Sequence, residues 1–249
     1  MKKLDNIEIS FSKLTIPILF ENRSIIIIDK PAGWILAPSH WTNTSRNLQT
    51  TLEKSIACGD YWARCRNLKY IRFLHRLDAD TTGLLILAKN QGVIPAYNRL
   101  FSQGLIKKIY AAIVEPSPNW SELLCSMPLS RLKNSFKSIV DPLNGKPAQT
   151  RFKLLKTRNL CALLQAFPLT GRTHQIRVHI SELGHTIVGD TIYGHTNHKS
   201  SPPLALRAAQ LIFKDPFESK IIDTRAPMED FLKNYRFELN DWQWHSISL

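Results

Sequence analysis

The chain has 249 residues, is 43% hydrophobic, and carries 33 Lys+Arg against 20 Asp+Glu, a formal net charge of +13. That apolar content suffices for one large domain or two small ones and excludes a disordered or collagen-like chain. No apolar run approaches the ~18–20 residues of a membrane helix, and Lys2-Lys3 is followed by Asp5 and Glu8 rather than the apolar stretch of a signal peptide. The excess positive charge points to a polyanionic partner without naming it.

In chain order, residues 1–19 show no clear period. The β-branched run Ser24–Asp29 reads as a strand, broken by Lys30-Pro31-Ala32-Gly33. Residues 39–50, rich in Ser, Thr and Asn, read as a loop, and Leu84–Ala88 as a second strand. Ile94, Tyr97 and Leu100-Phe101 have helical spacing, which predicts a helix within Asn90–Gln103 stopped by Gly104. Phe136–Val140 and Ala148–Leu154 alternate on either side of Pro142-Leu143-Asn144-Gly145, a hairpin pattern. Leu160–Phe167 is a further strand. Ile176, Ile180 and Leu183 recur at i, i+4, i+7 ahead of Gly184, so 173–183 reads as a short helix. Residues 195–203 form a polar loop. Strands joined by hairpins with few helices argue for α+β with a mainly antiparallel sheet.

Four cysteines, Cys58, Cys65, Cys125 and Cys161, lack the CxxC spacing of a zinc knuckle. They read as unpaired thiols of a reducing compartment, the cytoplasm. The charge is uneven: Arg131–Ile180 holds ten Lys/Arg and one acid, Asp141. Tyr61–Arg76 sets Arg64, Arg66, Lys69, Arg72 and Arg76 beside Tyr61, Trp62, Tyr70 and Phe73. Basic residues interleaved with aromatics suit phosphate contact and base stacking, or equally a solvated strand face with its aromatics in the core.

Two segments carry chemistry. In His75-Arg76-Leu77-Asp78-Ala79-Asp80-Thr81-Thr82-Gly83-Leu84-Leu85, acids, an Arg and a His sit on a polar turn running into a strand. Asp78 and Asp80 could hold a divalent metal, form a general acid/base pair, or divide into a nucleophile and a turn cap. In Thr170-Gly171-Arg172-Thr173-His174-Gln175-Ile176-Arg177 a strand gives way to a helix, a place suited to phosphate. Arg177, on a half-buried helix start, needs an anion. Asp78 would serve, and the pairing would hold it ionised as a nucleophile requires. His174, His179 and His185 are spaced off a common face, which argues against zinc.

These segments resemble the two signatures of the RluA-type pseudouridine synthases: His75-Arg76-Leu77-Asp78 with Thr81-x-Gly83-Leu84-Leu85, and Gly171–Arg177 with Gly184-His185 and Gly189-Asp190-x-x-Tyr193-Gly194. Glu21 and Lys30-Pro31-Ala32-Gly33 resemble the family's opening strand and turn. Lys108-x-Tyr110 resembles its tyrosine motif, and Lys146-x-Ala148-x-Thr150 another recurring element. The order agrees over about residues 16–215. The resemblance implies a pseudouridine synthase fold, a mainly antiparallel mixed sheet flanked by helices and loops around a central active-site cleft. It implies isomerisation of a uridine in rRNA or tRNA, with no cofactor or metal. Asp78 would be the catalytic aspartate, Tyr110 would pack on the target base, and Arg177 would pair with Asp78. Arg76 would enter the RNA where the nucleotide flips out, and Leu85 and Ile176 would wall the pocket. His75, Arg172, His174 and Gln175 would be further substrate-binding residues.

The expected organisation is an N-terminal extension (1–15), a catalytic domain (16–229) and a tail (230–249), working as a monomer with RNA as its partner, without an obligate protein partner or membrane. No S4-like module fits ahead of residue 16, so specificity is expected from loops at 39–65 and 195–203. Arg207, in Ala205-Leu206-Arg207-Ala208, replaces a His common in the family, and Thr82 replaces a Ser. Two rivals stand beside the isomerase: a metal-dependent nuclease using Asp78 and Asp80, and a non-catalytic RNA-binding protein.

Overall fold

The computed structural model describes residues 5–36, 46–133, 135–194 and 202–246. The chain forms two compact units, one from Met1–Ile106 with Phe213–Ala226, the other from Lys107–Ile212 with Pro227–Leu249.

The first unit holds β1 (Asn6–Ile9), β2 (Leu14–Glu21), β3 (Ile25–Lys30), α1 (Leu48–Ala57), α2 (Tyr61–Arg64), β4 (Arg72–Phe73), β5 (Thr82–Ala88) and α3 (Ile94–Ser102). Its strands run in the order β1-β2-β3-β5, antiparallel throughout, with β4 also on β5. Ile25–Ile28 and Leu84–Ala88 are fully buried, which explains why both read as unbroken apolar runs rather than alternating ones. Helix α3 lies where the periodicity places it, and Gly104 stops it with φ +69°. Residues 39–50 read as loop, yet α1 begins at Leu48. Asn47, a loop-former by composition, is its N-cap and accepts the Thr50 amide at 3.2 Å. Residues 39–45, expected to help set specificity, lie outside the described residues, as do 195–201.

The second unit holds β6 (Lys107–Glu115), β7 (Glu122–Cys125), β8 (Leu129–Arg131), β9 (Ser138–Val140), β10 (Thr150–Arg158), β11 (Cys161–Pro168), α4 (Gln175–Glu182), β12 (Thr186–Ile187) and most of β13 (Leu206–Lys214). The strand order is β13-β6-β11-β10-β7, with β12 also on β6, again all antiparallel. The chain then contributes β14 (Ile221–Arg225) to the first unit and α5 (Glu229–Asn234) to the second.

The hairpin expected around Asn144-Gly145 does not form. β9 pairs with β8, and β10 pairs with β11 and β7. A type I′ hairpin needs positive φ at both central residues, and neither Asn144 nor Gly145 has it. Instead Asp141 Oδ1 accepts the amides of Leu143 and Asn144, and Gly145 folds so tightly that a Cβ there would lie 2.3 Å from the Asp141 carbonyl and 2.8 Å from Pro128 backbone. The tight hairpin lies one strand later, where Asn159 takes φ +55° between Arg158 and Cys161.

The C-terminal tail is part of the second unit. His245 and Gln210 exchange two 3.0 Å hydrogen bonds, Gln165 donates to the Gln243 carbonyl, and Trp242 is buried. Both units are strand-dominated with few helices, and the fold class is α+β with a mainly antiparallel sheet.

Candidate active site

The turn that follows β4 carries the first signature. Arg76 is exposed, Asp78 is partly exposed, and Leu77 between them is buried, so the turn presents its charged groups while an apolar residue anchors it. Underneath lies Lys30, the last residue of β3 and fully buried. Its ammonium donates to the carbonyls of Ala79 (2.6 Å), Thr81 (3.0 Å) and Pro31 (2.9 Å), matching its three N–H groups to three acceptors. The Gly33 amide adds a 2.9 Å bond to Ala79 O. Desolvation pulls the Lys30 pKa down to about 8, against the opposing charges of Asp80 and then Asp78. A turn cap is one of the roles the sequence leaves open to Asp80. Among the described residues no hydrogen bond joins its exposed carboxylate to the turn, and it acts there through charge on Lys30.

His75 is half-buried; its Nε2 accepts the Ile86 amide at 3.0 Å and its ring lies 5.1 Å from that of Phe101. Leu85, expected as a pocket wall, is fully buried within β5. The adjoining basic stretch is less available than its composition suggests. Arg66 is bound to Glu21 at 2.9 Å and to Trp62 O, Lys89 shares the same Glu21 at 2.7 Å, and Trp62 is core, donating to Ser55 Oγ.

The second unit carries the remaining residues. Tyr110 is buried in β6 and pairs with Ala166 on one side and Ala208 on the other, so its two cross-strand neighbours are small. Arg207, two positions along β13 from the bulge at Ala208/Gln210, is buried and donates to Pro227 O at 3.0 Å.

At the start of α4, His174 takes a left-handed conformation (φ +54°), sparsely populated for a residue with a Cβ. Gln175 is buried, and its amide is fully used inside the unit. Oε1 accepts Thr170 Oγ1 (2.6 Å) and the Arg172 amide (3.0 Å); Nε2 donates to Gln149 O (2.8 Å) and Thr150 Oγ1 (2.9 Å). It braces the turn that presents Arg172, whose own Nε is bonded to Pro147 O at 3.0 Å. Thr150 passes the network on to His179, whose Nε2 donates to Met127 O at 2.9 Å. Ile176 is buried beside them.

Arg177 is almost completely buried and grips Asp190 side-on, Nε to Oδ2 and Nη2 to Oδ1, both at 2.7 Å. Asp190 Oδ1 also accepts the amides of Ile192 (2.9 Å) and Tyr193 (3.0 Å). Desolvation would raise the Asp190 pKa, but the bonds and charge of Arg177 with these two amides outweigh it and hold the carboxyl below its ordinary range. Sequence reasoning counted Asp190 only as part of a signature, and looked to Asp78 for the anion that Arg177 needs.

The three histidines weighed for zinc have separate partners: His174 Nδ1 meets the Tyr193 phenol Oη at 2.9 Å, His179 sits between Thr150 and Met127, and His185 Nδ1 contacts Pro116 O at 2.8 Å. Among the described residues, no group of three or more His, Cys, Asp or Glu is placed to hold a metal ion.

Residues 24–182 match the family model described as RNA pseudouridylate synthase. The ribosomal large subunit pseudouridine synthase C of Vibrio parahaemolyticus is 34% identical over 224 residues, 87% of this chain and 67% of that protein. The ribosomal large subunit pseudouridine synthase D of Nitrosomonas europaea is 33% identical over 227 residues, 87% of this chain and 63% of that one. The chain thus spans about two thirds of the length of these curated relatives. Among solved structures, human RNA Pseudouridylate Synthase Domain Containing 1 superposes with a TM-score of 0.67 at 25% identity, over 85% of this chain and 83% of its own. With its signature turn and helix in place on a pseudouridine synthase fold, the chain belongs to the RNA pseudouridylate synthase family.

Proposed function

We propose that the chain isomerises uridine to pseudouridine in large-subunit ribosomal RNA, with Asp78 as the catalytic aspartate. The observation that carries this reading is the Asp78 turn itself, a partly exposed carboxylate on a loop held from beneath by a buried, fully hydrogen-bonded ammonium. A reacting carboxylate needs fixed placement more than it needs stabilisation. The relatives' names favour ribosomal over transfer RNA.

In this reading the target nucleotide leaves its stack, and the exposed Arg76 takes its place in the RNA. Asp78 attacks the sugar or assists departure of the base: the C1′–N1 bond breaks, the base turns, C1′–C5 forms, and the C5 proton is removed while N1 gains one, so the composition of the nucleotide is unchanged. Tyr110 packs on the base, a role that its small neighbours Ala166 and Ala208 support. In this reading Arg177 is also the cation for Asp78, beside its two bonds to Asp190. His75, Arg172, His174, Gln175 and Ile176 shape the surroundings, and Leu85 and Gln175 act by packing and bracing. The reading includes a monomer in the cytoplasm, consistent with four cysteines held as thiols.

Pseudouridine mapping of total RNA from cells with and without the gene, repeated with Asp78→Asn, tests it. The expected result is one or more large-subunit sites lost in both the deletion and the variant, with RNA binding retained by Asp78→Asn and activity retained in chelator. Sites formed equally well by Asp78→Asn overturn the assignment, and shortened RNA whose production stops in chelator supports the nuclease instead.

A further inference from the structure

Tyr193 joins more of the second unit than any role in the signature requires. It lies on the turn whose carboxylate, Asp190, grips Arg177, and its own amide bonds that carboxylate. Its hydroxyl lies 2.9 Å from His174 Nδ1, accepts the Ser138 amide at 2.8 Å, and lies 3.2 Å from Ser138 O. The Arg177 guanidinium stands 5.3 Å from its ring centroid, within cation–π range. One half-buried side chain therefore touches the start of α4, the Arg177–Asp190 pair and the first residue of β9.

The β8–β9 ribbon reached through Ser138 is suited to RNA. Arg131, Leu132, Lys133, Ser135 and Phe136 line a shallow notch at its end, and Phe136 is 73% exposed. Lys137 Nζ stands 5.9 Å from the Tyr193 ring. An exposed aromatic ring among cations on a positively charged segment offers a base a stacking face and its phosphate a counter-charge.

We propose that Tyr193 is a positioning residue that couples RNA seated on the β8–β9 ribbon to the orientation of Arg177. Single-stranded RNA stacked on Phe136 fixes the ribbon. The ribbon fixes Ser138, Ser138 fixes the Tyr193 hydroxyl, and the ring and amide of Tyr193 set Arg177 and Asp190. This rests on the proposed function, because it is the rate of isomerisation that Arg177 is expected to govern.

The test compares Phe136→Ala, Tyr193→Phe and the double variant on an unmodified transcript of large-subunit ribosomal RNA, reading affinity, single-turnover pseudouridine formation and hydrogen exchange. Phe136→Ala is expected to weaken binding by roughly 5- to 10-fold, as for loss of one stacking contact, and to slow the bound reaction by no more than Tyr193→Phe does. Tyr193→Phe keeps the ring but loses the hydroxyl. It should slow the reaction by roughly 3- to 10-fold with affinity nearly unchanged, the loss expected for one hydrogen-bonded hydroxyl. In the double variant the rate should fall no further than in Tyr193→Phe alone, since the route from ribbon to Arg177 is already cut. RNA should protect amides 174–178 from exchange in the wild type and not in Tyr193→Phe. Multiplying rate losses, or equal protection of 174–178 in both proteins, overturns the proposal. If the wild type binds the transcript but forms no pseudouridine, the functional reading fails, and the exchange comparison still decides the coupling.

Discussion

Arg177 and Asp190 face each other through two 2.7 Å bonds, with both side chains buried within 4% of complete exclusion. A buried ion pair is not in itself a source of stability, but leaving one member without the other costs ~3–5 kcal/mol. Asp190→Asn keeps the shape and removes the charge, stranding the guanidinium. It is expected to lower stability by about that amount in denaturant titration. The folded carboxyl titrates below its ordinary range, so its contribution is full above the ordinary carboxylate pKa and is lost as pH falls through the lower, folded value. The gap between wild type and Asp190→Asn should therefore narrow in acid.

Lys30 and the backbone of the Asp78 turn give a prediction of opposite pH sense. The folded protein releases the Lys30 proton at about 8 and the unfolded chain at 10.5. At pH 7 the folded state bears the cost of a desolvated ammonium, and that cost is relieved as pH rises from 8 to 10.5. Lys30→Met lacks the group. Relative to it, the wild type should gain about 2 kcal/mol between pH 7 and 9.5, at ~1.4 kcal/mol per pH unit above 8, measured by denaturant unfolding at both pH values. Asp80→Asn removes the larger of the two charges that hold the Lys30 proton on, and should move the transition lower.

The parts of this molecule that could be read from sequence are those with a local cause. β3 and β5 are apolar runs because both faces are covered, and α4 stops two residues before Gly184, which as a glycine takes φ +85° at little cost. The hairpin at Asn144-Gly145 failed because composition reports which conformations are allowed, and the contact of Gly145 with Pro128 backbone selects a different one. Charge counting overstated the basic surface for the same reason. Arg66, Arg151, Lys156, Arg158 and Arg177 all face acids distant in sequence, among them Glu21, Glu122, Asp190 and Asp241. The motifs proposed to carry the reaction stand out in the sequence because they are continuous; Lys30, Asp190 and Tyr193, which hold residues around them, act across 13 to 55 residues of chain in the bonds cited.

His179 predicts a second acid-sensitive locus. Both ring nitrogens are used, one toward Thr150 and one toward Met127 O, and burial pushes its pKa down from the ordinary value. A carbonyl can only accept, so Nε2 carries the proton and Nδ1 accepts from Thr150. Protonating Nδ1 would set two donors against each other. The unfolded chain takes up that proton near pH 6.5, so stability should decline as pH falls below 6.5 and keep declining to the folded value. Thermal unfolding of His179→Gln, which can donate to Met127 O without titrating, should show a shallower slope between pH 7 and 5.

Gly189 decides whether Asp190 reaches Arg177 at all. Its φ is +78°, and a Cβ there would lie 2.3 Å from Pro203 O and 2.4 Å from Pro202 O, both backbone atoms that no rotamer change can move aside. Gly189→Ala combines a left-handed conformation costing an L-residue ~1 kcal/mol with a clash that displaces either the 202–203 backbone or the turn bearing Asp190. Displacing the turn breaks bonds that hold a buried pair. The substitution should therefore destabilise the protein by more than the conformational cost alone, by about 2–4 kcal/mol. Gly184→Ala is the control: its φ is similar at +85°, and nothing lies within 4 Å of the added Cβ. Equal losses of stability in the two variants would mean that the approach of Pro202 and Pro203 has no energetic weight; a larger loss at Gly189 measures it.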